Sequence, residues 1–127
     1  MVLDTSALVA ILSDEPERGE FVQLIAAADD PLISAATLLE ASIVMHARTG
    51  TVEDLDELLQ AGGVRCVAVD AAQALAARAA WERYGKGRSR AGLNYGDCFS
   101  YALATTLNRP LLFKGRDFAQ TDVRHAA

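Results

Sequence analysis

Four carboxylates stand out in this sequence by position: Asp4, Glu40, Asp97 and Asp117. Asp4 ends a short apolar run, residues 1–3. Asp97 opens a helical pattern just after the turn residues Asn94 and Gly96. Asp117 lies beyond a second apolar run, residues 111–113, with Lys114 and Arg116 beside it. Glu40 shares a predicted helix face with Ala36, Ile43 and Ala47, where a carboxylate needs a partner, a metal or a proton. Two carboxylates about 5 Å apart repel by roughly 3 kcal/mol at an effective dielectric near 20. Four brought together therefore call for a cation or bound protons. An all-oxygen set suits a hard ion, Mg²⁺ or Mn²⁺. Such an ion activates a water to attack phosphorus and offsets the charge that builds on the phosphoryl oxygens.

Each acid has a plainer reading. Asp4 fits a helix cap as well as a site, and Glu40 fits an exposed boundary position. Asp122 stands five residues beyond Asp117 and competes with it for the last place. The two histidines, His46 and His125, form no Ser-His-Asp or Cys-His arrangement with the rest of the chain. Four cations, Arg83, Lys86, Arg88 and Arg90, fall within eight residues and flank two glycines. That loop suits contact with a phosphate backbone, and its spacing is not that of a nucleotide-binding P-loop. Arg88, Arg90, Lys114 and Arg116 are the predicted contacts to a nucleic-acid phosphate backbone.

The elements that must position these groups alternate between strand and helix. Strands are predicted at 1–3, 32–34, 64–69 and 111–113. Helices are predicted at 7–12 (capped by Thr5 or Ser6), 16–28, 35–48, from Thr51 to 61, from Asp70 to 84 and from 97 to about 107. A short edge strand is expected near Val123. In open α/β sheets, sites lie beyond the C-terminal strand ends, where Asp4 and Asp117 both fall.

A chain of 127 residues, 51% hydrophobic, fits one domain, taken here as residues 1–127. The net charge of −5 conceals an asymmetry: residues 1–70 carry 13 acids and 3 bases, residues 71–127 carry 4 acids and 9 bases. The basic half surrounds Asp97 and Asp117, so a polyanion can still be held. Cys66 and Cys98 lack zinc-site spacing and read as reduced core residues. Trp81 and Tyr84 likewise read as core. No apolar run reaches membrane-spanning length and no signal peptide is recognisable, so a cytoplasmic protein is expected.

Taken together, MVLDTSALVAIL, LLEASIV, LNYGDCFSYALA and PLLFKGRDFAQTD closely resemble the PIN-domain toxins of the VapBC type, over residues 1–123. The resemblance implies a three-layer α/β/α fold with a mainly parallel central sheet. It implies a Mg²⁺- or Mn²⁺-dependent endoribonuclease, with Asp4 and Asp97 holding the metal and Glu40 and Asp117 completing the acidic pocket. It also implies a homodimer inhibited by a small cognate antitoxin. Two other readings compete. A non-catalytic RNA-binding module accounts for the basic half but leaves four acids unexplained. A receiver-like phosphoacceptor domain needs an acid pair at the first strand end, where Thr5 follows Asp4 here.

Overall fold

Three apolar pairs, Val2-Leu3, Leu32-Ile33 and Leu111-Leu112, make the middle of the molecule, and all six residues are buried. Successive side chains of a strand point to opposite faces, so each pair feeds both sides of a sheet. Val2, Leu32 and Leu111 join one core cluster, while Leu3, Ile33 and Leu112 join a second. Burying a Leu or Ile side chain is worth about 1.5–3 kcal/mol. Such runs are the mark of a parallel sheet covered on both faces.

A computed structural model describes residues 1–127. The chain runs β1 (Val2–Leu3), α1 (Thr5–Leu12), α2 (Arg18–Ala27), β2 (Leu32–Ser34), α3 (Ala35–Thr49), α4 (Glu53–Ala61), β3 (Arg65–Val67), α5 (Ala71–Tyr84), α6 (Tyr95–Thr106) and β4 (Leu111–Leu112), then a 3-10 turn at Phe118–Gln120. The four strands are parallel in the order β3-β2-β1-β4. Helices α5 and α6 contribute Ala77, Ala80, Ala102 and Leu103 to the first core. Helices α1 to α4 contribute Leu8, Ile11, Phe21, Ile25, Met45 and Leu55 to the second. This is the expected three-layer α/β/α arrangement, with the sheet entirely parallel.

Short strands rely on their neighbours. The tail covers the open edge of β4: Leu111 donates to the Arg124 carbonyl at 2.8 Å, and Ala126 donates to the Leu111 carbonyl at 2.9 Å. His125 stacks on Phe113. The expected edge strand near Val123 is thus a single parallel bridge at His125.

Several expectations are corrected. Helix α1 begins at Thr5, capped by Asp4, whose carboxylate accepts the Ser6 N–H. Helix α2 begins at Arg18, two residues past Pro16. Residues 64–69 yield only the edge strand β3, which leaves Cys66 exposed. Trp81 lies on the outer side of α5 and is 43% exposed. Helix α3 buries Thr37, Ala41 and Met45, so the face carrying Leu39 and Ile43 is open to solvent. No helix is long and apolar enough to cross a membrane.

Candidate active site

Asp4 leaves β1 and caps α1, and the residue is only 2% exposed. A buried carboxylate must be hydrogen-bonded. Its Oδ2 accepts from the Ser6 N–H at 3.0 Å and from Ser6 Oγ at 2.7 Å. Its Oδ1 accepts from Ser100 Oγ at 2.6 Å. Ser100 has one hydroxyl proton, so the 3.0 Å contact between Thr37 Oγ1 and Ser100 Oγ is a donation by Thr37. Ser6 Oγ in turn accepts from the Lys114 N–H at 3.0 Å. The carboxylate is thus fastened to α1, α3, α6 and the turn after β4. With three of about four lone-pair directions used, it retains room for one more contact.

Asp97 is the third residue of α6. A capping box holds it there: Asn94 Oδ1 accepts the Asp97 N–H at 2.9 Å, and Asp97 Oδ2 accepts the Asn94 N–H at 3.0 Å. Its carboxyl is pushed up to about 7, first by burial, against the Asn94 hydrogen bond, and then by the charges of Asp4, Asp117 and Glu40. The charges of the other three predicted acids therefore reach Asp97. The four come from β1, α3, α6 and the loop after β4, at the C-terminal side of the sheet.

Glu40 approaches from α3. Thr5 Oγ1 donates a short hydrogen bond to Glu40 Oε1. Its Oε2 lies against Gly96, where a Cβ would come within 1.8 Å. Asp117 is exposed and precedes the 3-10 turn. Asp122 is engaged elsewhere: Tyr101 Oη donates a short hydrogen bond to it, and Arg83 pairs with it at 3.3 Å. Those contacts hold its carboxyl below the usual range and tie the tail to α5 and α6.

The basic groups divide. Lys114 is taken by Glu15 and, at 3.1 Å, by Glu17. The Arg88 guanidinium lies 4.8 Å from the Trp81 ring centroid and donates to the Glu82 carbonyl. Arg90 and Arg116 are exposed. The charge runs could not distinguish these fates, because the partners lie on other elements.

The four acids do not close into a ready-made cage of three metal ligands. Their donor set still fits Mg²⁺ or Mn²⁺. Mg²⁺ keeps several waters and takes one or two protein carboxylates plus substrate phosphate oxygens. Burial first, and then the neighbouring charges, lift Asp97, and a bound cation would offset both.

Thr5, Ser6, Gly96 and Ser100 were missed as site residues. Thr5 and Ser6 read as helix caps and Gly96 as a turn residue. Ser100 carried one usable signal, since it lies three positions after Asp97 on the same helix face.

Comparison with known proteins agrees with this fold. The PIN domain family matches residues 1–124. The chain is 58% identical over 127 residues to Ribonuclease VapC of Mycolicibacterium smegmatis, covering 97% of each. It is 54% identical over 129 residues to Ribonuclease VapC30 of Mycobacterium tuberculosis, covering 100% of this chain and 98% of that protein. Two solved structures share the fold at 19% identity. A toxin–antitoxin complex from Klebsiella pneumoniae superposes with a TM-score of 0.70 over 95% of this chain and 92% of that one. Mycobacterium tuberculosis VapC20, described as a sarcin-ricin loop cleaving toxin, gives 0.68 over 97% and 98%. A parallel α/β/α sheet, four acids at its C-terminal side and full-length kinship lead to one conclusion: the chain belongs to the PIN-domain family, among its VapC ribonucleases.

Proposed function

We propose that this chain, as one domain over residues 1–127, is a Mg²⁺- or Mn²⁺-dependent endoribonuclease and the toxin of a toxin–antitoxin pair. The observation that carries the reading is the burial of Asp97 among the charges of Asp4, Glu40 and Asp117. Asp4 and Asp97 would hold the cation, which would supply a water acidic enough to attack at neutral pH and offset charge on the phosphoryl oxygens. Glu40 and Asp117 complete the acidic pocket and would orient the attacking water and take its proton. The new P–O bond would form as the bond to the leaving ribose oxygen breaks, and the proton taken from the water would pass from the carboxylates, through solvent, to that oxygen. Arg90 and Arg116 hold flanking phosphates without reading bases.

Kinship and one surface support the proposed partners. Leu39, Ile43 and Tyr95 are 62%, 60% and 81% exposed and adjoin Glu40 and Gly96. Exposed apolar patches mark docking sites. This face supports a homodimer and a small cognate antitoxin. The exposed cysteine, Cys66, is consistent with a reducing cytoplasm.

The deciding experiment incubates total cellular RNA with the purified protein, in Mg²⁺ or Mn²⁺ and in EDTA, beside Asp97→Asn. Discrete fragments from the wild type alone, abolished by EDTA, are expected. Equal cleavage by Asp97→Asn overturns the mechanism, and metal-independent RNA binding without cleavage favours a non-catalytic RNA-binding module.

A further inference from the structure

We infer that Gly96 is a positioning residue: its missing side chain lets the Glu40 carboxylate stand against the first turn of α6. The inference rests on the nuclease reading above and deepens it. A Cβ at Gly96 would lie 1.8 Å from Glu40 Oε2 and 2.5 Å from Glu40 Cδ, far inside any tolerable contact. Backbone conformation does not explain the glycine. Gly96 is the second residue of α6, and its φ lies outside the left-handed region. Alanine is a better helix former than glycine, so local stability alone favours a side chain here. The close approach to Glu40 supplies the missing reason.

The far side of the carboxylate is fixed as well. Thr5 Oγ1 donates to Glu40 Oε1, and Thr5 directly follows Asp4. Glu40 is therefore clamped between the residue after one proposed metal ligand and the residue before the other, Asp97. Its Oε2 accepts no hydrogen bond and is left to take a proton from water. A methyl group at position 96 would expel that oxygen. Because Glu40 is long and only half-buried, its side chain can swing outward while the fold survives.

The test compares wild type with Gly96→Ala, Glu40→Gln, Glu40→Asp and the double variant Gly96→Ala/Glu40→Asp. The readouts are kcat and KM on an RNA the wild type cleaves, Mn²⁺ affinity by calorimetry without RNA, and the thermal midpoint. Gly96→Ala should keep or raise the midpoint and hold KM within about threefold. Its kcat should fall about a hundredfold or more, the range for a lost general base. Mn²⁺ affinity should fall in Glu40→Gln, which removes a charge felt at Asp97, and less in Gly96→Ala, which displaces that charge without removing it. Aspartate is one methylene shorter and leaves room for the new methyl. The double variant should therefore recover about tenfold over Gly96→Ala, the order of a partly restored base.

Wild-type kcat in Gly96→Ala, with Glu40→Gln inactive, overturns the inference and leaves the nuclease reading standing. A lowered midpoint without recovery in the double variant overturns it too, because Gly96 would then serve only the fold. Full activity in Glu40→Gln removes the base assignment itself, and the inference with it.

Discussion

Asp97 is where function and stability conflict most directly. Its carboxyl sits at about 7 in the folded chain against an ordinary 3.8. Between those values the folded chain keeps a proton that the unfolded chain releases, so without a divalent cation stability falls as pH rises from about 4 to about 7. Asp97→Asn should remove that slope. At pH 8 in EDTA it should gain about 1–2 kcal/mol by urea denaturation, a figure discounted for partial exposure, while losing RNA cleavage. A lower urea midpoint than wild type at pH 8 contradicts the repulsion. Ser100 makes the opposite case. Ser100→Ala leaves Asp4 Oδ1 and Thr37 Oγ1 short of partners in a buried setting, so urea denaturation should show a loss of about 1–3 kcal/mol. The four acids could be singled out in the sequence because each ends or follows an apolar run, opens a helix or falls on an apolar helix face. The hydroxyls and glycine that hold them could not, because Thr5, Ser6 and Gly96 also make ordinary caps and turns.

Helices were easier to read than strands, for a physical reason. Eight to fifteen residues of helical period leave a pattern, whereas β1 and β4 are two residues each and persist only by packing on both faces. The face of α3 was misread because periodicity finds an apolar stripe but does not say which of two stripes is buried. Thr37, Ala41 and Met45 took the core. The choice between Asp117 and Asp122 also belongs to this scale. Asp122 clasps the tail to α5 and α6 through Arg83 and Tyr101, while the charge of Asp117 reaches Asp97. Asp122→Asn should therefore keep cleavage within a few-fold of wild type, and Asp117→Asn should lose roughly tenfold or more, as expected for a group that orients the attacking water. Equal losses in a matched RNA cleavage assay would place both acids in the chemistry. Asn94→Ala should cost about 1 kcal/mol of stability through the lost cap.

The charge asymmetry of the whole chain has a structural outcome, because Asp4 and Glu40 from the acidic half meet Asp97 and Asp117 from the basic half. No segment can form the site alone. Its rim continues into the exposed face of Leu39, Ile43 and Tyr95, where Tyr95 packs edge-on against Phe99 at 5.0 Å. Water-exposed apolar area of this kind costs free energy until something covers it, and a second copy presenting the same face is a self-complementary cover. The chain has a mass of 13.5 kDa, so light scattering on an eluting peak separates monomer from dimer cleanly. Ile43→Glu places a charge at the centre of that face, in a side chain that already faces solvent, so the thermal midpoint should stay near that of the wild type. If this face closes the proposed dimer, the mass should fall from dimer to monomer at the same concentration. A dimer that survives Ile43→Glu assigns self-association to another surface and leaves this face free for a partner protein. The contact with Glu40 and Gly96 makes that alternative specific: a protein seated here borders the acids directly, so binding it should suppress RNA cleavage without unfolding the chain.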